Sequence, residues 1–301
     1  MTVSLFMTAA VANAEESSTA TLPVNNSAAL TVPGEGGSVT TSVETAKAKK
    51  SPLGATFYTY TTVGKKSANN SNPAADQYLR LTGKYSLSDT KSISAFGQFT
   101  YKFATDADAN GPGRDAVGKI ADTVIQYTDS KLANLPGDVN LFMALRAYLP
   151  TGETARFVTK SAGMGMGIFS FEKSFGKLDI SETFYTIYHN QTQDAYFAAG
   201  ELKATDDYEI DQFLELEYHF TDKFSVSNSI GTEHSWSRGL PVKGVERATA
   251  FYNELQLILK PTSEVTLRGA VFTEQNMDSQ NAFSAFQDDN TSYRTYLTIA
   301  I

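Results

Sequence analysis

From Leu53 to Ile301 the chain is a succession of runs, each about ten residues long, in which apolar side chains alternate with polar or small ones. A period of two is the geometry of a strand with two different faces. Twelve such runs can be counted. Their apolar sets begin with Leu53, Ala55, Phe57, Thr59, then Leu79, Leu81, Gly83, Tyr85, then Ile93, Ala95, Gly97, Phe99, Tyr101, Phe103. The next three are Ala121, Thr123, Ile125, Tyr127; Val139, Leu141, Met143, Leu145, Ala147, Leu149; and Met164, Met166, Ile168. The seventh is Leu178, Ile180, Phe184, Tyr188, and the eighth lies in EIDQFLELEYHF at 209–220. The last four are Phe224, Val226, Ile230; Phe251, Leu255, Leu257, Leu259; Val265, Leu267, Gly269, Val271; and Tyr293, Thr295, Leu297, Ile299, Ile301. No helical periodicity intervenes, so the chain is expected to be all-β.

The connections separate into two kinds. SLSDT (86–90), EKSFG (172–176), FTDK (220–223) and KPTSE (260–264) are short, and a mid-length connection is expected at 129–137. The segments 64–76, 104–117, 150–162, 189–206, 236–246 and 275–290 are longer and more polar, and they alternate with the short ones. A soluble sandwich has no reason to sort its loops by parity. A membrane barrel does, because its turns on one side are tight and its loops on the other are long. Closure also satisfies every backbone hydrogen-bonding group in lipid and leaves no free edge. Tyrosines and phenylalanines gather near run ends, as at Tyr85, Tyr101, Tyr188, Tyr208, Tyr218 and Phe224, where aromatic girdles would meet the headgroups. The expected fold is a closed antiparallel transmembrane up-and-down β-barrel of about 12 strands. Region 53–301 resembles the Gram-negative outer-membrane β-barrels, especially porin-like channels. Its final segment SYRTYLTIAI looks like the assembly signal of that class, except that Ile301 stands where an aromatic residue is usual. The resemblance implies location in the outer membrane of a Gram-negative bacterium, with lipid as surroundings.

Ahead of the barrel, MTVSLFMTAAVANAEE carries an apolar run from Val3 to Val11, followed by small residues at Ala12-Asn13-Ala14. Residues 1–14 are therefore expected to be an export signal cut after Ala14. A basic region before the apolar run is missing, so a start further upstream is expected. Residues 15–52 lack aromatic residues and are rich in Ser, Thr, Ala and Val, which predicts a disordered linker before the barrel at 53–301. The chain has 25 Lys and Arg against 33 Asp and Glu, which argues against nucleic acid as a partner. It has no cysteine, which excludes disulfides and thiolate metal sites.

If the apolar rows face lipid, the opposite rows face a lumen. The acidic candidates for pore lining are Glu209, Asp211, Glu215 and Glu217 on the eighth run and Glu254 on the tenth. The basic candidates are Arg80 and Lys84, Lys102, Arg146, Arg268 and Arg294, on five other runs. In a twelve-strand closure the second and eighth runs lie opposite each other. Twelve strands about 4.8 Å apart and tilted about 40° give a backbone diameter of roughly 24 Å and about 10 Å between side-chain tips. This predicts passive diffusion of small hydrophilic solutes or ions along a charged lumen, with cation preference set by the four acids of the eighth run. In the sixth run, SAGMGMGIF, Gly163, Gly165 and Gly167 are expected to point inward beside Phe142 and Tyr148, with the methionines outward.

The apolar rows have polar interruptions at Glu182, Gln212, Asn228 and Asn253, on runs seven to ten. They predict either a protomer interface of a homo-oligomer or, for Glu182, a bulge that turns the carboxylate inward. Enzymatic chemistry finds little support, and no catalytic residue, cofactor or metal site is expected. EHSWSRG holds His234, Ser235 and Ser237, but adjacent strand residues point to opposite faces, which counts against a phospholipase-like hydrolase. Asp206 and Asp207 lack the Asp-x-His of omptin-like proteases. DADANG at 106–111 begins like a calcium loop, yet Val117 occupies the position of the bidentate glutamate. The remaining alternative is a barrel plugged by its own side chains and serving a structural or surface-contact role.

Overall fold

The computed structural model describes residues 52–68, 75–103, 117–152, 154–193, 195–198, 201–237, 246–276 and 291–301. The expected export signal at 1–14, nearly all of the linker at 15–52, and DADANG lie outside the described residues. The strands are β1 (Leu53–Gly64), β2 (Ala75–Ser86), β3 (Lys91–Phe103), β4 (Val117–Ile120) and β5 (Thr123–Leu135). They continue with β6 (Val139–Leu149), β7 (Ser161–Phe175), β8 (Leu178–Gln191), β9 (Ala195–Ala198) and β10 (Glu201–Ala204). The last five are β11 (Asp206–Thr221), β12 (Phe224–Ser237), β13 (Glu246–Leu259), β14 (Val265–Asn276) and β15 (Thr291–Ala300).

Twelve of these close into one antiparallel barrel in the order β1-β2-β3-β5-β6-β7-β8-β11-β12-β13-β14-β15. Each strand of this order corresponds to one alternating run of the sequence. The short β4 pairs with the upper part of β3, and β9 and β10 form a separate hairpin in a long loop. At the closing seam Ala55 N donates to Ile301 O at 3.0 Å and Ile301 N donates to Ala55 O at 2.8 Å. The expected mid-length connection at 129–137 is shorter than predicted. β5 runs on through Leu135, with an irregularity between Asp129 and Ala133, and leaves only a tight turn. Gly137 and Asp138 there have φ of 82° and 58°, the conformation a tight hairpin needs. All five described turns at that end are therefore short.

Side chains alternate across the wall. Leu81 and Leu257 on the outside are 62% and 56% exposed, within a continuous belt of leucines and isoleucines. In water such a belt would drive aggregation; in a bilayer it is the required surface. Aromatic side chains border the belt. Tyr218, Phe220 and Phe224 cluster at the short-turn end, with ring centroids 4.9 and 5.5 Å apart. Tyr188 and Tyr208 pair 5.3 Å apart at the other end. Tyr208 and Tyr218 are separated by ten positions of one strand, about 26 Å along the membrane normal at a tilt of about 40°, which matches the apolar height of such barrels.

One parity is the reverse of the expectation. In β7, Met164, Met166 and Ile168 are buried inside, and Gly165 and Gly167 share the outer face with Phe169 and Phe171. Met166 lies opposite Arg146 in the ladder, and the Tyr148 hydroxyl approaches its sulfur at 3.8 Å. The lower half of the strand explains this. Ser170, Glu172 and Ser174 face the interior, and a strand without a bulge between Gly163 and Phe175 has a single parity.

Candidate functional site

The barrel interior has two halves. In the half nearer the short turns there is a chamber of about 1680 Å³. Its lower rim is formed by turn residues such as Asp138, Gly176, Asp222 and Pro261. Arg80, Arg146, Ile168 and Glu215 line it at mid-height. The lining holds eight lysines and arginines against six aspartates and glutamates. Arg80 lies over the rings of Tyr58 and Phe96, at 4.7 and 5.0 Å, and Arg146 donates from Nε to Gln126 Oε1 at 2.6 Å. Across the chamber, Glu217 accepts a hydrogen bond from Ser225 Oγ at 2.5 Å and has Lys260 Nζ at 3.9 Å. His219 Nε2 lies 2.7 Å from Asp179 Oδ2 on the neighbouring strand. Arg80 and Lys84 on β2 and Arg146 on β6 thus line the same chamber as Glu215 and Glu217 on β11, with Lys177, Lys223 and Lys260 interspersed near the acids.

Above the chamber the interior is filled. Phe96, Val124, Tyr148, Met164, Met166, Tyr185, Ile187 and Phe213 form one buried apolar cluster, and Tyr58, Tyr60, Tyr78, Ala270 and Tyr296 form another. Phe213 packs at 5.8 Å edge-on to Tyr185 and at 6.0 Å from Tyr252. Its ring lies directly on Gly231, where a Cβ would stand 2.2 Å from a ring carbon. A large ring fills the space that glycine leaves, the arrangement expected earlier for the sixth strand but found on β12.

The acidic candidates consequently divide. All five face inward. Glu215 and Glu217 line the chamber, whereas Glu209, Asp211 and Glu254 are 1%, 0% and 0% exposed within the filled half. Glu254 accepts a hydrogen bond from the Tyr296 hydroxyl and lies 3.7 Å from Arg294, whose guanidinium stacks 3.4 Å from the centre of the Phe272 ring. Of the basic candidates, Arg80, Lys84 and Arg146 line the chamber. Arg294 is locked in the fill, and Arg268 interacts electrostatically with Glu215 and Glu254. The side chain of Lys102 lies outside the described residues. The sequence reading missed Glu233, on an inward row of β12, and the buried His189 on β8. Both sit near long loops, where alternation is hardest to follow.

On the outer face the Gln212 amide donates to Glu182 Oε1 at 2.7 Å, and the Asn228 amide donates to the Glu254 carbonyl at 3.3 Å. Around Glu182 the ladders on both sides run without a register shift, the one irregularity of the β7–β8 ladder lying at Ser161–Gly163, so no bulge turns it inward. Among the hydrolase candidates, Ser235 pairs in register with Glu209 on the inner face, while His234 pairs with Ile210 on the outer face beside Trp236. The wall of the barrel separates the two side chains. The Ser237 side chain lies outside the described residues. At the long-loop end, Asp122 accepts from the Gly152 amide at 2.8 Å; burial raises its carboxyl above the usual carboxylate range against that hydrogen bond.

A continuous outer apolar belt with two aromatic borders and a chambered interior can be compared with solved structures. An outer-membrane channel from Pseudomonas putida F1 superposes with a TM-score of 0.54 at 13% identity, covering 86% of this chain and 100% of that one. The fold is that of the outer-membrane β-barrels. The NanC porin is also similar, with a TM-score of 0.46 and 10% identity over 81% of this chain and 98% of the porin. No protein-family model matches the sequence, and no curated protein matches it. The resemblance is therefore one of architecture, and the interior has to be read from its own residues.

Proposed function

We propose that the protein is an outer-membrane channel for passive diffusion of small hydrophilic solutes or ions. The observation that supports this most is the chamber. It opens among the short turns, is lined mostly by polar and charged side chains, and reaches up to Arg80, Arg146 and Glu215. Solutes would enter an aqueous vestibule whose opposed charges orient dipoles and select by size and charge. The aromatic fill above it acts as the constriction, and permeation requires these side chains to yield. Glu215, Glu217, Arg80, Lys84 and Arg146 are the residues assigned to the wall of the pathway. Recording of the purified protein in a planar bilayer tests the reading. Discrete conductance steps are expected; a persistently silent barrel, folded by heat-modifiability on gels, would support the plugged structural alternative instead.

The outer polar belt carries a second reading, association of protomers through β8, β11, β12 and β13. Glu182 and Gln212 satisfy each other on a surface where an acidic side chain at the midplane is unfavourable in lipid. A contact with a second copy would remove that penalty. Cross-linking in native membranes tests this, and recovery of monomer alone would count against it.

A further inference from the structure

The upper interior, above the chamber, contains a cluster of ligand-type side chains to which the proposed function assigns no role. Asp211 and Glu233 are register partners on β11 and β12, and Glu209 stands two positions along on the same inner face. One carboxylate oxygen from each of Glu209, Asp211 and Glu233 lies within 4.8 Å of the other two. Donors bound to a shared ion at about 2.1 Å stand about 3–4 Å apart, so small side-chain rotations suffice to close on one. From β8, His189 points at the same place. Its Nε2 lies 3.6 Å from Glu209 Oε2. His189 is 3% exposed and its Nε2 has no hydrogen-bond partner. Such groups, buried and unsatisfied, are costly to keep unless something compensates them. Glu233 is already oriented, because the Tyr252 hydroxyl donates to its Oε2.

We propose that Glu209, Asp211, Glu233 and His189 form a binding site for a divalent transition-metal ion. Three carboxylates supply the charge that a dication neutralises and also suit Mn²⁺, and the imidazole favours Zn²⁺ over Ca²⁺ and Mg²⁺, which prefer oxygen ligands alone. The ion ties β8, β11 and β12 together from within, just above Phe213. Its role is to brace the wall formed by these three strands, while the aromatic side chains of the constriction stay free to yield.

The test uses the purified full-length barrel in detergent, stripped with a chelator and dialysed against ZnCl₂ or MnCl₂ at micromolar concentration. About one equivalent of metal by elemental analysis is expected, together with a thermal midpoint raised by several degrees. Glu209→Gln combined with His189→Gln should lower the affinity at least about a hundredfold. Because E209Q/H189Q removes buried charge, it should fold, and heat-modifiability on gels verifies this. His189→Gln alone, which keeps all three acids, should weaken Zn²⁺ binding about tenfold and leave Ca²⁺ binding unchanged. Stoichiometry below about a tenth of an equivalent in the wild type, undiminished binding in the double variant, or tighter binding of Ca²⁺ than of Zn²⁺ would each overturn the proposal.

Discussion

Replacing Phe213 by alanine probes the interior most directly. The ring is 7% exposed and packs against Tyr185, Tyr252 and the backbone of Gly231. Truncation of a buried phenylalanine costs about 3–5 kcal/mol, and loss of its two aromatic neighbours accounts for about 1 kcal/mol of that. Here the void lies next to the polar chamber open at the short turns, since Glu215 is the following inward residue. Solvent can enter it, so the lower end of the range, about 3 kcal/mol, is expected. That lowers the ratio of folded to unfolded protein more than about a hundredfold. Urea unfolding in lipid vesicles, followed by emission of the single tryptophan, Trp236, reads this loss. The same substitution widens the constriction, and the single-channel conductance should roughly double. A variant that loses the expected stability but conducts as the wild type does would refute the reasoning, because it would place the resistance elsewhere.

Further tests follow from other parts of the wall. Gly231→Ala sets a methyl group 2.2 Å from the Phe213 ring and should cost about 1–3 kcal/mol, whereas Gly83→Ala, with open space around it, should change unfolding by less than about 0.5 kcal/mol. With eight basic and six acidic residues in the chamber, a zero-current potential in a salt gradient should show weak anion preference, which revises the cation preference expected from the four acids of the eighth run. Clear cation preference would restore that earlier expectation. Glu217→Gln should shift selectivity further toward anions, and unchanged reversal potentials would remove Glu217 from the pathway. Glu182→Leu with Gln212→Leu should abolish cross-linked dimers if the polar belt is an interface; dimers persisting in this variant would rule the belt out.

Much of the fold is legible in the sequence because a membrane wall enforces its alternation on every strand. Leu214 and Leu216 could only face lipid once Glu215 and Glu217 faced inward. The sixth run misled for a physical reason. Apolar side chains are not confined to the lipid side when the lumen is itself packed, and Met164 and Met166 serve the interior fill. Ser170, Glu172 and Ser174 further along the same strand carried the correct parity. The state of the lumen was less legible. Inward direction could be read for Glu209 and Glu254, but the burial of Glu254 depends on Tyr296 and Phe272, which arrive from other strands. The convergence of Glu209, Asp211 and Glu233 with His189 was hidden for the same reason. The ligands come from three strands, with no spacing along the chain that marks them as a set.

The seam between Ala55 and Ile301 has a consequence for how the molecule is made. The first and last strands are neighbours, so the bonds that complete the cylinder join residues separated by nearly the whole length of the barrel. Until β15 is available, β1 and β14 each present an unpaired edge, and any partial barrel is an invitation to a foreign strand. Closure cannot proceed alongside synthesis; it must wait for β15, at the entropic cost of a long loop. The strands made earlier therefore have to be held open until β15 arrives, and the backbone bonds between Ile301 and Ala55 act as the latch.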